Sequence, residues 1–173
     1  MTNQRTKIAW VTGGGTGIGK AGAQALLADG WTVIISGRRA EVLQAVADEL
    51  GAGGKPVEAM ALDVSNAADV QKVADAILAR YGRIDLLVNS AGVNLPKRSW
   101  QDVTQDGWDQ IVDINLNGVM YCMRAVLPAM RAQHDGCIIN VASWAGRMRC
   151  SGCWSCARSK ASAFSWRSCR ARD

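Results

Sequence analysis

The 173-residue sequence predicts an α/β fold, a doubly wound parallel sheet held between two helical layers. Three observations carry this expectation. Strand-like apolar runs alternate with segments of helical periodicity from Lys7 to Ser143. A glycine-rich stretch joins the first strand to the first helix. The length suits one sizeable core rather than two ordinary domains.

The elements follow in order. "KIAWVTG" reads as a buried strand, and "GKAGAQALLADG" as a helix that stops at Gly30. "WTVIISG" is a second strand, followed by the helix "AEVLQAVADEL" and the Gly-rich connection "GAGGKP". "VEAMALDV" is a third strand, and its end passes through Ser65 or Asn66 as an N-cap into the helix "ADVQKVADAILARYG". "IDLLVNSAG" is a fourth. A long helical pattern then runs roughly from Trp108 to Gln133, interrupted by Gly118 and Pro128, before "CIINVAS" supplies a fifth strand. No internal repeat appears beyond this alternation.

Composition narrows the function classes. No apolar run reaches the roughly 18 residues of a membrane span. Met1 to Lys7 is polar and has the character of neither a signal nor a transit peptide, so the cytoplasm is the expected location. The net charge of +5 is unevenly placed. Met1 to Val141 holds 13 Lys and Arg against 14 Asp and Glu, whereas Ala142 to Asp173 holds 7 against Asp173 alone. Nucleic acid is therefore not expected as a partner of the fold, and no nucleic-acid-binding motif accompanies the basic tail.

The glycine-rich stretch carries the first chemical signal. Gly13, Gly17 and Gly19 sit where a strand turns into a helix, with Thr16 and Ile18 between them. Glycine there lets the backbone approach a pyrophosphate, which the free amides and dipole of the helix N-terminus bind. The P-loop alternative fails because Lys20 and Ala21 do not complete a G-K-[ST] ending. At the end of the second strand, an acidic residue would bond the adenosine ribose and repel a 2′-phosphate. The chain has "SGRR" instead: Gly37 leaves that position empty, and Arg38 and Arg39 offer guanidinium groups suited to a phosphate. NADP(H) is expected over NAD(H).

Over about residues 7 to 143 the sequence resembles the classical short-chain dehydrogenases/reductases. The motifs are "TGGGTGIG" for T-G-x-x-x-G-x-G, "LDVS" after the third strand, "NSAG" for N-N-A-G, "INLNG" in the long helix and "INVAS" on the fifth strand. Ser90 replaces the second Asn of N-N-A-G. The resemblance implies a Rossmann-type cofactor site in which Asp63 and Val64 flank the adenine while Asn89, Ala91 and Gly92 pack behind the cofactor. It implies hydride transfer between the nicotinamide and a small-molecule ketone or secondary alcohol, with a tyrosine exchanging the proton. Ser143 matches the serine that positions the carbonyl, and Asn115 the asparagine that anchors a relay water. Lys160 matches the lysine that holds the nicotinamide ribose and lowers the tyrosine pKa. A homo-oligomer is typical of the family, whose interface draws on the helix bearing that lysine.

The tyrosine position itself is Cys156, so Y-x-x-x-K has become C-x-x-x-K. A thiol has an ordinary pKa of about 8.5 and a neighbouring ammonium favours its thiolate. Its side chain is nevertheless far shorter than that of tyrosine, and proton delivery depends first on hydrogen-bond reach. From Ala142 onward the chain has no Leu, Ile or Val and holds four of the six cysteines. This divides the chain into a dinucleotide-binding unit, 1–145, and an atypical tail, 146–173. A metal or iron–sulfur site at Cys150, Cys153 and Cys156 lacks a nearby fourth ligand, and disulfides do not suit the cytoplasm. A surge of Arg, Ser, Cys and Trp is what an out-of-frame reading of GC-rich DNA produces, and this is the favoured account. The sequence thus reads as a C-terminally truncated reductase lacking the last strands and impaired at its acid/base position. A non-catalytic nucleotide-binding or partner-binding protein is the alternative.

Overall fold

A computed structural model describes residues 5–96 and 100–143. Cys156, Lys160 and the expected boundary near residue 145 lie outside the described residues.

Five strands form one sheet: β1 (Ile8–Thr12), β2 (Thr32–Gly37), β3 (Val57–Ala61), β4 (Leu86–Asn89) and β5 (Cys137–Asn140). All pairings are parallel, in the order β3-β2-β1-β4-β5. The helices are α1 (Gly17–Ala28), α2 (Ala40–Leu50), α3 (Ala67–Tyr81), α4 (Gln105–Val112) and α5 (Gly118–Ala132). Each expected strand and helix is present. The strand order reverses at β1, and ligands of open α/β sheets bind in the crevice beyond the strand ends at such a point.

The period-2 alternation of β1 explains the two helical layers. Ile8 and Trp10 join a core with Val70, Ala74 and Ile77 of α3 and Cys122 and Val126 of α5. Ala9 and Val11 face the other way, against Ala23 and Leu27 of α1 and Leu43 and Val46 of α2. Trp10 is completely buried, so its indole N–H needs a partner, and it donates to Ser36 Oγ at 3.0 Å. At the N-terminal edge of the sheet, Asp85 accepts from the Ile8 amide at 2.8 Å and pairs with the guanidinium of Arg83. Both side chains are buried, and the Asp85 hydrogen bonds raise the Arg83 pKa above its ordinary value.

Helix boundaries follow local chemistry. Of the two expected caps of α3, Asn66 serves, its Oδ1 accepting from the amides of Ala68 and Asp69. Gly82, at φ 74°, ends the helix in the left-handed region that glycine tolerates. The long helical pattern begins earlier than its periodicity indicates, at Gln105, because Thr104 accepts from the Gly107 amide at 3.2 Å. Its interruption also differs from the expected one. A π turn over Asp113–Asn117 precedes Gly118, and Pro128 lies inside α5 without ending it. Gly118 is a point of close packing, since a Cβ there would stand 2.8 Å from Val64 Cγ2.

No helix among the described residues is long and apolar enough to cross a membrane.

Candidate functional site

The C-terminal ends of the strands enclose a cleft of about 380 Å³ at the crevice beside β1. The β1–α1 turn contributes Gly13, Gly15 and Thr16, and the β2–α2 turn contributes Gly37, Arg38 and Arg39. Asp63 and Val64 follow β3, and Ala91, Gly92 and Val93 follow β4. Ile114, in the π turn, stands over the same space.

The three glycines singled out in sequence have three different reasons. Gly13 has φ 69°, and a Cβ there would lie 2.7 Å from the Ala91 nitrogen, so the turn packs directly on the backbone after β4. A Cβ on Gly19 would collide with the Gly13 carbonyl, so the first turn of α1 can rest on that turn only without a side chain. Gly17 has φ 54°, with no protein atom within 4 Å of its would-be Cβ. Its conformation needs glycine, and the space above it is open. Gly14 has no local sequence signal; its missing Cβ makes room for Ile35 of β2.

The helix termini at the cleft are the electrostatic feature. Thr16 occupies the N-cap of α1 but makes no side-chain capping bond, and the first turn carries no acidic residue. The N-cap of α2, Arg39, likewise makes none. By contrast α3 and α4 are capped by their own Asn66 and Thr104. The amides opening α1 are therefore left for an outside acceptor, and the helix dipole favours an anionic one. Arg38 and Arg39 are exposed at the cleft rim, and neither forms a salt bridge among the described residues. Ile18, in the first turn of α1, is 68% exposed. An uncapped terminus, glycine at the closest approach and two uncommitted guanidiniums fit a dinucleotide bearing phosphates.

Two side chains that shape the cleft bind its backbone from a distance. Thr12 Oγ1 accepts from the Ala91 amide at 3.3 Å and donates to Val88 O at 3.4 Å. Asn115 is buried in the π turn, where its amide accepts from the Val93 nitrogen at 2.8 Å and donates to the Val93 carbonyl at 2.9 Å. The segment from Ala91 to Val93 is thereby held from two elements. Thr12 belongs to the motif quoted from sequence, yet its grip on Ala91 has no local signature. Asn89 is buried behind this segment, and its Nδ2 donates to Asn140 Oδ1 at 2.9 Å across β4 and β5. Ser143 lies half-buried just beyond β5, where the Val141 amide donates to Asn89 O at 2.9 Å.

Fold and cleft define a Rossmann-type α/β protein, with the glycine turn and helix terminus at the point where the strand order reverses. The chain belongs to the short chain dehydrogenase family, whose model matches residues 7–173. That match continues past Ser143 into the tail that holds Cys156 and Lys160. An uncharacterized oxidoreductase of Staphylococcus aureus strain MW2 is 38% identical over 146 residues, which are 84% of this chain and 62% of that protein. The chain thus spans less than two thirds of that relative's length. A metagenomic short-chain oxidoreductase, solved in complex with NADP, superimposes with a TM-score of 0.84 at 36% identity, covering 89% of this chain and 70% of that one. An alcohol dehydrogenase from the archaeon Thermococcus sibiricus, solved with 5-hydroxy-NADP, gives a TM-score of 0.86 at 27% identity, covering 92% and 68%.

Proposed function

We propose that the protein is an oxidoreductase that binds NADP(H) in this cleft and acts between a ketone and a secondary alcohol, with turnover impaired in this chain. The observation that carries the reading is the uncapped N-terminus of α1 beside a glycine-built turn, with Arg38 and Arg39 on the facing rim. The α1 amides take the pyrophosphate, and the two arginines take the 2′-phosphate. Asp63 and Val64 flank the adenine. Thr12 and Asn115 hold the Ala91–Val93 backbone against which the cofactor packs. Two structurally similar proteins carry NADP or its 5-hydroxy derivative, in keeping with this choice of cofactor.

When bound, the nicotinamide supplies the hydride, so the protein is left to orient the carbonyl and move one proton. Ser143 holds the substrate oxygen and Lys160 the nicotinamide ribose. Cys156 stands where the family places tyrosine, and its side chain is far shorter than tyrosine's, whereas proton delivery depends first on hydrogen-bond reach. Impaired turnover follows from that substitution and leaves binding intact.

Calorimetric titration with NADPH and NADH tests the reading. NADPH is expected to bind more tightly, and replacing both Arg38 and Arg39 by Ala should weaken NADPH by about tenfold or more while leaving NADH unchanged. Equal affinity for the two cofactors in the parent protein removes the 2′-phosphate assignment. Absence of any binding at millimolar cofactor removes the function.

A further inference from the structure

Ser65 has so far played no part in the site, and its bonds give it one. Its hydroxyl donates to Asp63 Oδ1 at 2.7 Å, and its main-chain N–H donates to the same oxygen at 3.0 Å. Two donors on one oxygen fix the rotation of the carboxylate. The backbone beneath is fixed as well. The Leu62 amide donates to Gly37 O at 2.8 Å, and the Asn66 amide donates to Asp63 O at 3.1 Å. Asn66 in turn caps α3. Asp63 lines the cleft with Oδ1 doubly bonded and Oδ2 bearing no hydrogen bond among the described residues.

An ionised carboxylate only accepts hydrogen bonds. Adenine linked through N9 has one donor group, the exocyclic N6 amine, and its ring nitrogens only accept. Hypoxanthine presents an oxygen at that place and moves its donor to N1, one ring position away. A carboxylate free to turn can follow that donor, whereas a clamped one cannot. We propose that Ser65 is a positioning residue for base recognition: it locks Asp63 so that Oδ2 accepts from adenine N6 and cannot turn to serve hypoxanthine. The inference rests on the cofactor reading above and adds a specificity to it.

The test compares NADPH with its hypoxanthine counterpart, both followed by reduced-nicotinamide fluorescence on the full chain. The parent protein should bind NADPH about tenfold more tightly than the analogue. Ser65→Ala should shrink that ratio by about threefold or more, because the carboxylate then keeps only the main-chain donor and regains rotational freedom, and Ser65→Thr should retain it. A merely structural Ser65 would weaken both ligands equally and leave the ratio unchanged, which would overturn the inference. Asp63→Asn, whose amide both donates and accepts, should bring the ratio near unity with Ser65 intact. It keeps the test decisive should Ser65→Ala fold poorly, since an unaltered ratio there also overturns the inference. A parent ratio near unity defeats the inference while the cofactor reading stands. Binding of neither dinucleotide defeats both.

Discussion

Gly13 and Gly17 lie four residues apart in one turn, both at positive φ, yet alanine should affect them very differently. At either site the left-handed conformation costs an alanine about 1–2 kcal/mol relative to glycine. At Gly17 little is added, since no protein atom lies within 4 Å of the new Cβ. At Gly13 the Cβ would meet main-chain atoms of Ala91 and Ser90 at 2.7 to 2.9 Å, below any ordinary contact. Those atoms are held by Thr12 and by the sheet, so they yield only with backbone movement, at a further cost of about 1–3 kcal/mol. Gly13→Ala should therefore cost about 2–5 kcal/mol and Gly17→Ala about 1–2 kcal/mol, out of a total stability of about 5–15 kcal/mol for a domain. Urea unfolding followed by circular dichroism reads both, and melting temperatures should fall by about 2–4 °C per kcal/mol. Cofactor affinity should reveal a second difference. Gly17 opens the uncapped helix whose amides are assigned to the pyrophosphate, so a side chain there should lower NADPH affinity by about tenfold or more despite the mild loss of stability. Equal destabilisation by the two substitutions would refute the packing argument. Undiminished NADPH affinity in Gly17→Ala would refute the placement of the phosphates.

Two further outcomes concern buried titratable groups. Asp85→Asn removes the charge that pairs with buried Arg83, and should cost about 3 kcal/mol or more, measured as a fall in urea midpoint without any change in NADPH:NADH preference. Burial pushes the Cys122 thiol up to about 12, well above its ordinary range. The unfolded chain therefore loses this proton first, so stability is unaffected near neutrality and declines as pH rises above about 9. Cys122→Ala should flatten that decline, and an equally steep decline in the variant would remove Cys122 as its source. Alkylation mapped by mass spectrometry should spare Cys122 in the folded protein at pH of about 8.

Much of the architecture is legible from residue order alone, because the signals are local. The unbroken apolar run in "IAWVT" marks a strand buried on both faces, the helical spacing of "AEVLQAVADEL" states which face meets a core, and each element formed where these patterns stand. The glycine turn was legible for the same reason, as strand, turn and helix adjoin in sequence. Local signals also have limits. The choice between Ser65 and Asn66 as a cap was open in sequence because both residue types can cap; the hydroxyl of Ser65 turned out to be committed to Asp63. The π turn at Asp113–Asn117 left no mark on a pattern that records only average period.

Residue order alone specifies the kind of protein: a parallel α/β chain with a phosphate-suited turn, arginines in place of an acid after the second strand, and Cys156 in place of tyrosine. The tertiary structure alone decided how the cleft is held together. Thr12 reaches Ala91 across 79 positions and Asn115 reaches Val93 across 22; at the opposite edge of the sheet, Asp85 likewise reaches Ile8 across 77. Polar side chains such as these suit many local conformations, so their partners emerge only when the sheet order brings distant strand ends side by side and burial favours matching donors with acceptors.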